Sequence, residues 1–266
     1  MRDTPRSVCL GIEGLTKRFG GFYALNGLSM QVQKGHIHAL IGPNGAGKTT
    51  LFNLITGVLA ADAGSIVLDG AIVDDRRPSK RTLRGIARTF QNIRLFPHLT
   101  AVETVMIGGH CRAYRSLWRA LGKGVINLPG AEAEEEQRMR ADAIELIAFL
   151  GLGGRQDAKA SDLPYGAQKK LELARALATR PRLLLLDEPA AGLNPRETKE
   201  LDDIIKRIRD RGITIILVEH DMNLVMGISD AVTVLNFGSK IAEGPPAQIR
   251  NDPVVIEAYL GEDVAP

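Results

Sequence analysis

The chain has 266 residues, 44% of them hydrophobic and 24% charged, a balance that suits a globular α/β domain and excludes disordered or collagen-like chains. Its 34 basic and 31 acidic residues leave a net charge of +3, too even for the dense basic stripe of a nucleic-acid binder. Two cysteines, Cys9 and Cys111, are too few and too far apart for a disulfide framework or a metal site, and no apolar run approaches the roughly 20 residues of a membrane-spanning helix.

The start, Met1-Arg2-Asp3-Thr4-Pro5, lacks the apolar stretch of a signal peptide. Residues 8–15 and 24–32 read as strands of an antiparallel sheet, with Lys17-Arg18-Phe19-Gly20-Gly21 as the turn between them. Phe19 in that turn is placed either to stack on a nucleotide base or simply to pack. Residues 37–41 form a short buried strand that runs into Gly42-Pro43-Asn44-Gly45-Ala46-Gly47-Lys48-Thr49, which fits the phosphate-loop pattern G-x-x-x-x-G-K-[ST] at every defined position. An apolar-periodic helix continues from Thr50. In this setting the glycines let successive N–H groups turn inward, and the helix N-terminus adds its positive dipole end. Lys48 is expected to reach the β- and γ-phosphates and the Thr49 hydroxyl to ligate Mg²⁺, so the chain is predicted to bind a nucleoside triphosphate through residues 42–50.

Asp62-Ala63-Gly64-Ser65 is predicted as a turn, and a strand over 65–68 is closed by the hairpin dipeptide Asp69-Gly70. The basic run Arg76, Arg77, Lys80, Arg81, Arg84 and Arg88 reads as the solvated face of a linking segment, with nucleic-acid contact the weaker alternative. A strand over 86–90 ends at Gln91, and Thr100 with Glu103 forms a capping box that opens a helix. Residues 113–128 mix Leu117, Trp118 and Leu121 with basic side chains and break at Pro129-Gly130, after which 131–150 is a long charged helix and 166–179 another. We therefore expect one domain over 8–261: a sheet subdomain from 8–101 and 181–246 and an inserted helical lobe over about 102–180. A helical tail over 247–266 follows.

The next element, Leu183-Leu184-Leu185-Leu186-Asp187-Glu188, is a continuous apolar strand tipped with two carboxylates, as in a parallel sheet covered on both faces. Asp187 faces magnesium in such an element, and Glu188 beside it projects toward the γ-phosphate to polarise a water. Small-molecule kinases mostly need no base for water, so the pair points to ATP hydrolysis. Asn194 caps a helix over 195–210 that has Pro195 at its first position. A buried strand over 213–218 ends at Glu219-His220-Asp221, strands over 230–236 and 240–242 finish the sheet, and 248–260 is helical. The fold class is α/β: a mixed, mainly parallel phosphate-loop core, an antiparallel β subdomain and an inserted helical lobe.

With these motifs in order, the chain resembles the nucleotide-binding subunit of ATP-binding cassette (ABC) transporters along nearly its whole length. The resemblance implies adenine stacking for Phe19, a Q-loop role at the magnesium site for Gln91, Walker B carboxylates for Asp187 and Glu188, and a γ-phosphate switch role for His220. It also makes Gly192-Leu193-Asn194-Pro195 the D-loop, with Asn194 where Asp is usual. The signature Leu-Ser-Gly-Gly-Gln departs to Leu163-Pro164-Tyr165-Gly166-Ala167, the segment expected to reach across a dimer with Asn194. Arg88 to Phe96, the insert from Cys111 to Gly130, Leu163-Pro164-Tyr165-Gly166, Val218 to Met222 and Ile256 to Gly261 resemble the longer ATPase of bacterial branched-chain amino acid importers. Urea, amide or aromatic-acid importers remain open alternatives, as do lipid or lipopolysaccharide exporters and non-transport members of the superfamily. The implied cofactors are ATP and Mg²⁺. The implied partners are a second, shorter ATPase in a heterodimer, two permease subunits and, indirectly, a periplasmic or lipid-anchored solute-binding protein, with no nucleic acid. The implied place is the cytoplasmic face of the inner membrane, held peripherally by the permeases. Phe96, Leu99 and Val102 are expected either to line a groove for a permease helix or to sit in the core.

Overall fold

The structure, a computed structural model, describes the backbone of residues 7–73, 77–122 and 131–260 and the side chains of 7–73, 77–111 and 133–259. Arg76, Gly261, positions 123–130 of the insert and the side chains of Leu117, Trp118 and Leu121 lie outside the described residues. The elements in chain order are β1 (Val8–Phe19), β2 (Phe22–Gln33), β3 (Ile37–Ile41), α1 (Lys48–Ile55), β4 (Ala63–Leu68), β5 (Ala71–Ile72), α2 (Pro78–Leu83), β6 (Ile86–Arg88), α3 (Ala101–Gly122) and α4 (Ala131–Phe149). They continue with α5 (Tyr165–Ala178), β7 (Leu183–Asp187), α6 (Pro195–Asp210), β8 (Thr214–Val218), α7 (Met222–Ile228), β9 (Ala231–Asn236), β10 (Ser239–Gly244), α8 (Pro246–Ile249) and α9 (Pro253–Leu260).

Two sheets result. One is antiparallel in the order β2-β1-β4-β5; the other runs β10-β9-β3-β8-β7-β6, parallel except for the β9–β10 hairpin. Side chains of β7 and β8 alternate between two cores. Leu183, Leu185, Ile216 and Val218 pack with α1 and the antiparallel sheet, while Leu184, Leu186, Ile215 and Leu217 pack with α3, α4, α5 and α6. Both faces are therefore covered, which is why β7 tolerates four consecutive leucines. Burying each contributes about 1.5–3 kcal/mol. The core under α3, α4 and α5 is continuous with that sheet face, and Val102, at 1% exposure, belongs to it. Phe96 is exposed.

The register of the parallel strands positions the site. Leu40 of β3 and Asp187 of β7 both pair with Val218 of β8, and Arg88 of β6 pairs with Leu185. The segments that leave β3, β8, β7 and β6 therefore emerge along one edge, where open α/β sheets bind ligands.

Several boundaries differ from expectation. The first hairpin is longer: Lys17↔Leu25, Arg18↔Tyr23 and Phe19↔Phe22 continue the ladder, so only Gly20-Gly21 turns. β4 begins at Ala63, because Gly64 (φ +87°) lies against Gly14, where an added Cβ would come within 2.5 Å of backbone. β6 stops at Arg88 rather than at residue 90. α2, inside the basic run, was not expected. Neither was α7, which Asp221 caps by accepting from Asn223 and Leu224 N–H. The expected tail helix over 248–260 is two helices, since Pro253 interrupts the hydrogen-bond ladder and starts α9 afresh. The predicted capping box at α3 forms: Thr100 N donates to Glu103 at 2.8 Å and Glu103 N to Thr100 Oγ1 at 3.3 Å.

Candidate active site

The phosphate loop joins β3 to α1. Gly42, Gly45 and Gly47 take φ of 146°, 77° and 106°, a region that favours glycine. Close packing reinforces two of them, since an added Cβ would lie 2.1 Å from the Leu235 carbonyl at Gly42 and 2.5 Å from the Ala24 carbonyl at Gly47. Gly47 is also the N-cap of α1 and supplies no side-chain cap, so no capping side chain stands between the first turn of the helix and the cleft. That cleft, of about 320 Å³, is lined by Phe19, Phe22, Ala24, residues 44–50, Glu188, Val218 and His220. Asn44, Gly45, Ala46, Lys48, Thr49 and Thr50 thus share one wall. Gly42 and Pro43 lie behind it and offer their carbonyls to the buried Lys48 ammonium, at 2.9 Å for Pro43.

Phe19 and Phe22 are half exposed at 50% and 58% and face each other across the Gly20-Gly21 turn. Phe22 escaped the sequence reading, although the symmetry of Phe-Gly-Gly-Phe hinted at it.

At the far side of the cleft, Glu188 follows β7 with φ +47°, a left-handed conformation rare outside glycine. Its N–H donates to the Val218 carbonyl at 2.9 Å, fixing the turn. Gln91 Nε2 donates to Glu188 Oε2 at 2.6 Å, and His220 Nε2 lies 3.1 Å from Oε1. The three residues that the sequence assigned to catalysis therefore meet, although they follow three different strands, β6, β7 and β8. Asp187, 7% exposed, is ion-paired at 2.7 Å with Arg88, whose other nitrogen donates to Asn53 Oδ1 at 2.7 Å. The Arg88 guanidinium lies 5.4 Å from the centre of the Phe52 ring and 5.1 Å from that of Phe90. Sequence reasoning placed Arg88 only in a basic run and missed this partner of Asp187.

Glu219 is a second missed residue. Its buried carboxylate accepts from Ala190 N at 2.7 Å and His220 N at 3.1 Å, tying the end of β8 to the turn after β7. Burial raises its pKa, opposed by those backbone donors.

The predicted dimer-facing residues lie together, apart from the cleft lining. Pro164 precedes α5 and gives it no side-chain cap. Tyr165 donates its hydroxyl to the Ala191 carbonyl at 3.3 Å and covers Gly192, and Gly166 is buried under Glu197, where a Cβ would meet the carboxylate at 2.5 Å. Ala167 is half-buried. Asn194 accepts from Arg196 and Glu197 N–H at 3.1 and 3.0 Å, completing a capping box for α6.

Among the described residues no group of three or more His, Cys, Asp or Glu could hold a metal ion. Thr49 and Asp187 nevertheless offer the hard oxygen donors that suit a magnesium ion held mainly by phosphates and water.

The sequence profile of the ABC transporter family matches residues 25–191, and that of the branched-chain amino acid ATP-binding cassette transporter matches residues 239–265. The chain is 44% identical over 254 residues to the high-affinity branched-chain amino acid transport ATP-binding protein BraF of Pseudomonas aeruginosa, covering 95% of this chain and 98% of BraF. It is 45% identical over 256 residues to the corresponding LivG of Escherichia coli K12, with the same coverage. Among solved structures it resembles the ADP conformation of an ATP-binding cassette of an ABC transporter, with a TM-score of 0.82 at 33% identity, covering 96% of this chain and 99% of that one.

Proposed function

The chain belongs to the ABC transporter family of ATP-binding subunits, and from that membership we propose that its ATP hydrolysis energises an importer of branched-chain, hydrophobic amino acids. That cargo is named in its curated relatives and in the profile that matches its last part. The observation that carries the chemistry is the meeting of Gln91 and His220 on the Glu188 carboxylate at the edge of the phosphate-loop cleft.

In this reading adenine stacks on Phe19, with Phe22 closing the same side, and the phosphates rest on the N–H groups of residues 44–50. Lys48 exchanges the carbonyls of Gly42 and Pro43 for phosphate oxygens. Magnesium, bound with the triphosphate, neutralises phosphate charge, and Thr49, Asp187 and Gln91 are the residues that would hold it. Arg88 keeps Asp187 paired until then. Glu188, held in orientation by the Gln91 amide, accepts a proton from the attacking water, while His220 turns toward the γ-phosphate. A positioned base of this kind contributes about 10²–10⁴-fold.

Among the described residues no helix is long and apolar enough to cross a membrane. We place the subunit peripherally at the cytoplasmic face, held by two permease subunits that receive solute from a binding protein. The lobe over about 102–180 is the unit that would transmit closure to them. Reconstitution in liposomes with the permeases and a second ATPase tests the cargo. ATP-dependent uptake of leucine, isoleucine or valine is expected; uptake confined to urea, amides or aromatic acids, or export of lipid, would overturn it.

A further inference from the structure

The inward face of α5 carries three charged side chains that the hydrolysis chemistry leaves unused: Lys169, Glu172 and Arg175, spaced by three and so aligned along one side of the helix. Lys169 and Glu172 are 7% and 2% exposed, which is unusual for such residues unless they are paired. All three engage the segment between β6 and α3. Arg175 donates to the Arg94 carbonyl and lies 3.4 Å from Glu172, and Glu172 accepts from Arg94 N at 3.4 Å. Burial raises the Glu172 pKa, with Arg175 opposing.

Lys169 does something different. Its ammonium donates to the Gln91 carbonyl at 3.1 Å and to the Glu188 carbonyl at 3.4 Å, while the Tyr165 ring lies 5.7 Å away. One cation therefore bridges the backbones of the two residues whose side chains meet at 2.6 Å. Glu188 needs such support. Its φ of +47° is costly for a non-glycine residue and persists only where the surroundings over-determine it. The Val218 carbonyl fixes its N–H, and Lys169 fixes its C=O. Neighbouring Lys170 is instead a half-buried partner of Glu200 at 2.8 Å, so the two lysines have separate roles.

We infer that Lys169 is a positioning residue for hydrolysis: it holds the Gln91 and Glu188 backbones in register and couples any movement of α5 to both. The inference rests on the assignment of Glu188 as the base. In the assembled transporter, Lys169→Met keeps the stem and removes the donors, and is expected to lower kcat tenfold or more with ATP affinity and KM within twofold. Lys169→Arg, which restores donors to both carbonyls, should recover at least a third of the wild-type kcat. If Lys169→Met fails to assemble, Lys169→Leu, which also has no side-chain donor, carries the same expectation. A kcat within twofold of wild type, a parallel loss of affinity, or an Arg variant no better than Met would overturn the inference. Glu188→Gln measured alongside separates the two ideas. If that variant is inactive and Lys169→Met is unaffected, only the positioning role falls; if it turns over normally, the base assignment beneath it falls.

Discussion

The Gln91 side chain donates to Glu188 Oε2 across 2.6 Å, joining the segment after β6 to the carboxylate after β7. A hydrogen bond to a charged group is worth about 1.5–3 kcal/mol, or roughly ten- to a hundredfold in rate if it orients the base. Gln91→Ala should therefore lower kcat by that factor in the assembled transporter and leave ATP affinity within twofold. An unchanged kcat in steady-state hydrolysis would show that the contact does not matter to turnover.

Phe19 and Phe22 face each other across a two-residue turn at the cleft, and both are at least half exposed, so neither is needed for the core. If they hold the base, Phe19→Ala should weaken ATP binding by roughly 1–3 kcal/mol, the range for base–aromatic stacking, and Phe22→Ala by less. Calorimetric titration with ATP measures both. Unchanged affinity with a lowered melting temperature would mean that the rings only pack.

His38 lies inside β3 at 2% exposure, with Nε2 2.8 Å from Thr233 Oγ1, and burial lowers its pKa from 6.5 to about 4. Between those values the unfolded chain binds a proton that the folded chain does not, so stability falls as pH drops from about 6.5 toward 4. Between pH 7 and pH 5 the loss amounts to roughly 2 kcal/mol. Urea unfolding of His38→Gln should show a correspondingly smaller loss over this interval. Equal pH dependence in both proteins would remove His38 as the cause.

Pro164 has no N–H and no hydroxyl, and it leaves α5 without a side-chain cap. If this segment faces a partner's ATP, a symmetric pair of these chains would lack the signature serine's hydrogen bond at both sites. The subunit is therefore expected to work beside a second cassette with a fuller signature. Pro164→Ser should then raise turnover mainly at the partner's site, as read in transporters whose other site is inactivated. Full transport with this chain as the only ATPase would contradict the heterodimer.

The phosphate loop, the carboxylate-tipped strand, the capping box of α3 and the Asn194 cap of α6 were legible in the sequence because each depends on residues a few positions apart. The convergence of Gln91, Glu188 and His220 was legible only through the family pattern, since three-strand register, set by pairs such as Asp187↔Val218, brings them together. Arg88, Glu219 and Lys169 were not legible. Each sits in a charged or polar stretch that reads as solvated, and only tertiary burial turns it inward. The short helix α7 was missed for the opposite reason: Met222–Ile228 is too brief to show a helical period.

We propose Glu188 as the residue through which this subunit turns ATP binding into hydrolysis. Its most direct test is single-turnover hydrolysis in the assembled transporter with Glu188→Gln, following bound ATP and released phosphate together. ATP binding is expected within a few-fold of wild type and phosphate release slowed about 10²–10⁴-fold, because Lys48 and the phosphate loop are untouched while the base is lost. Phosphate release at the wild-type rate would contradict it.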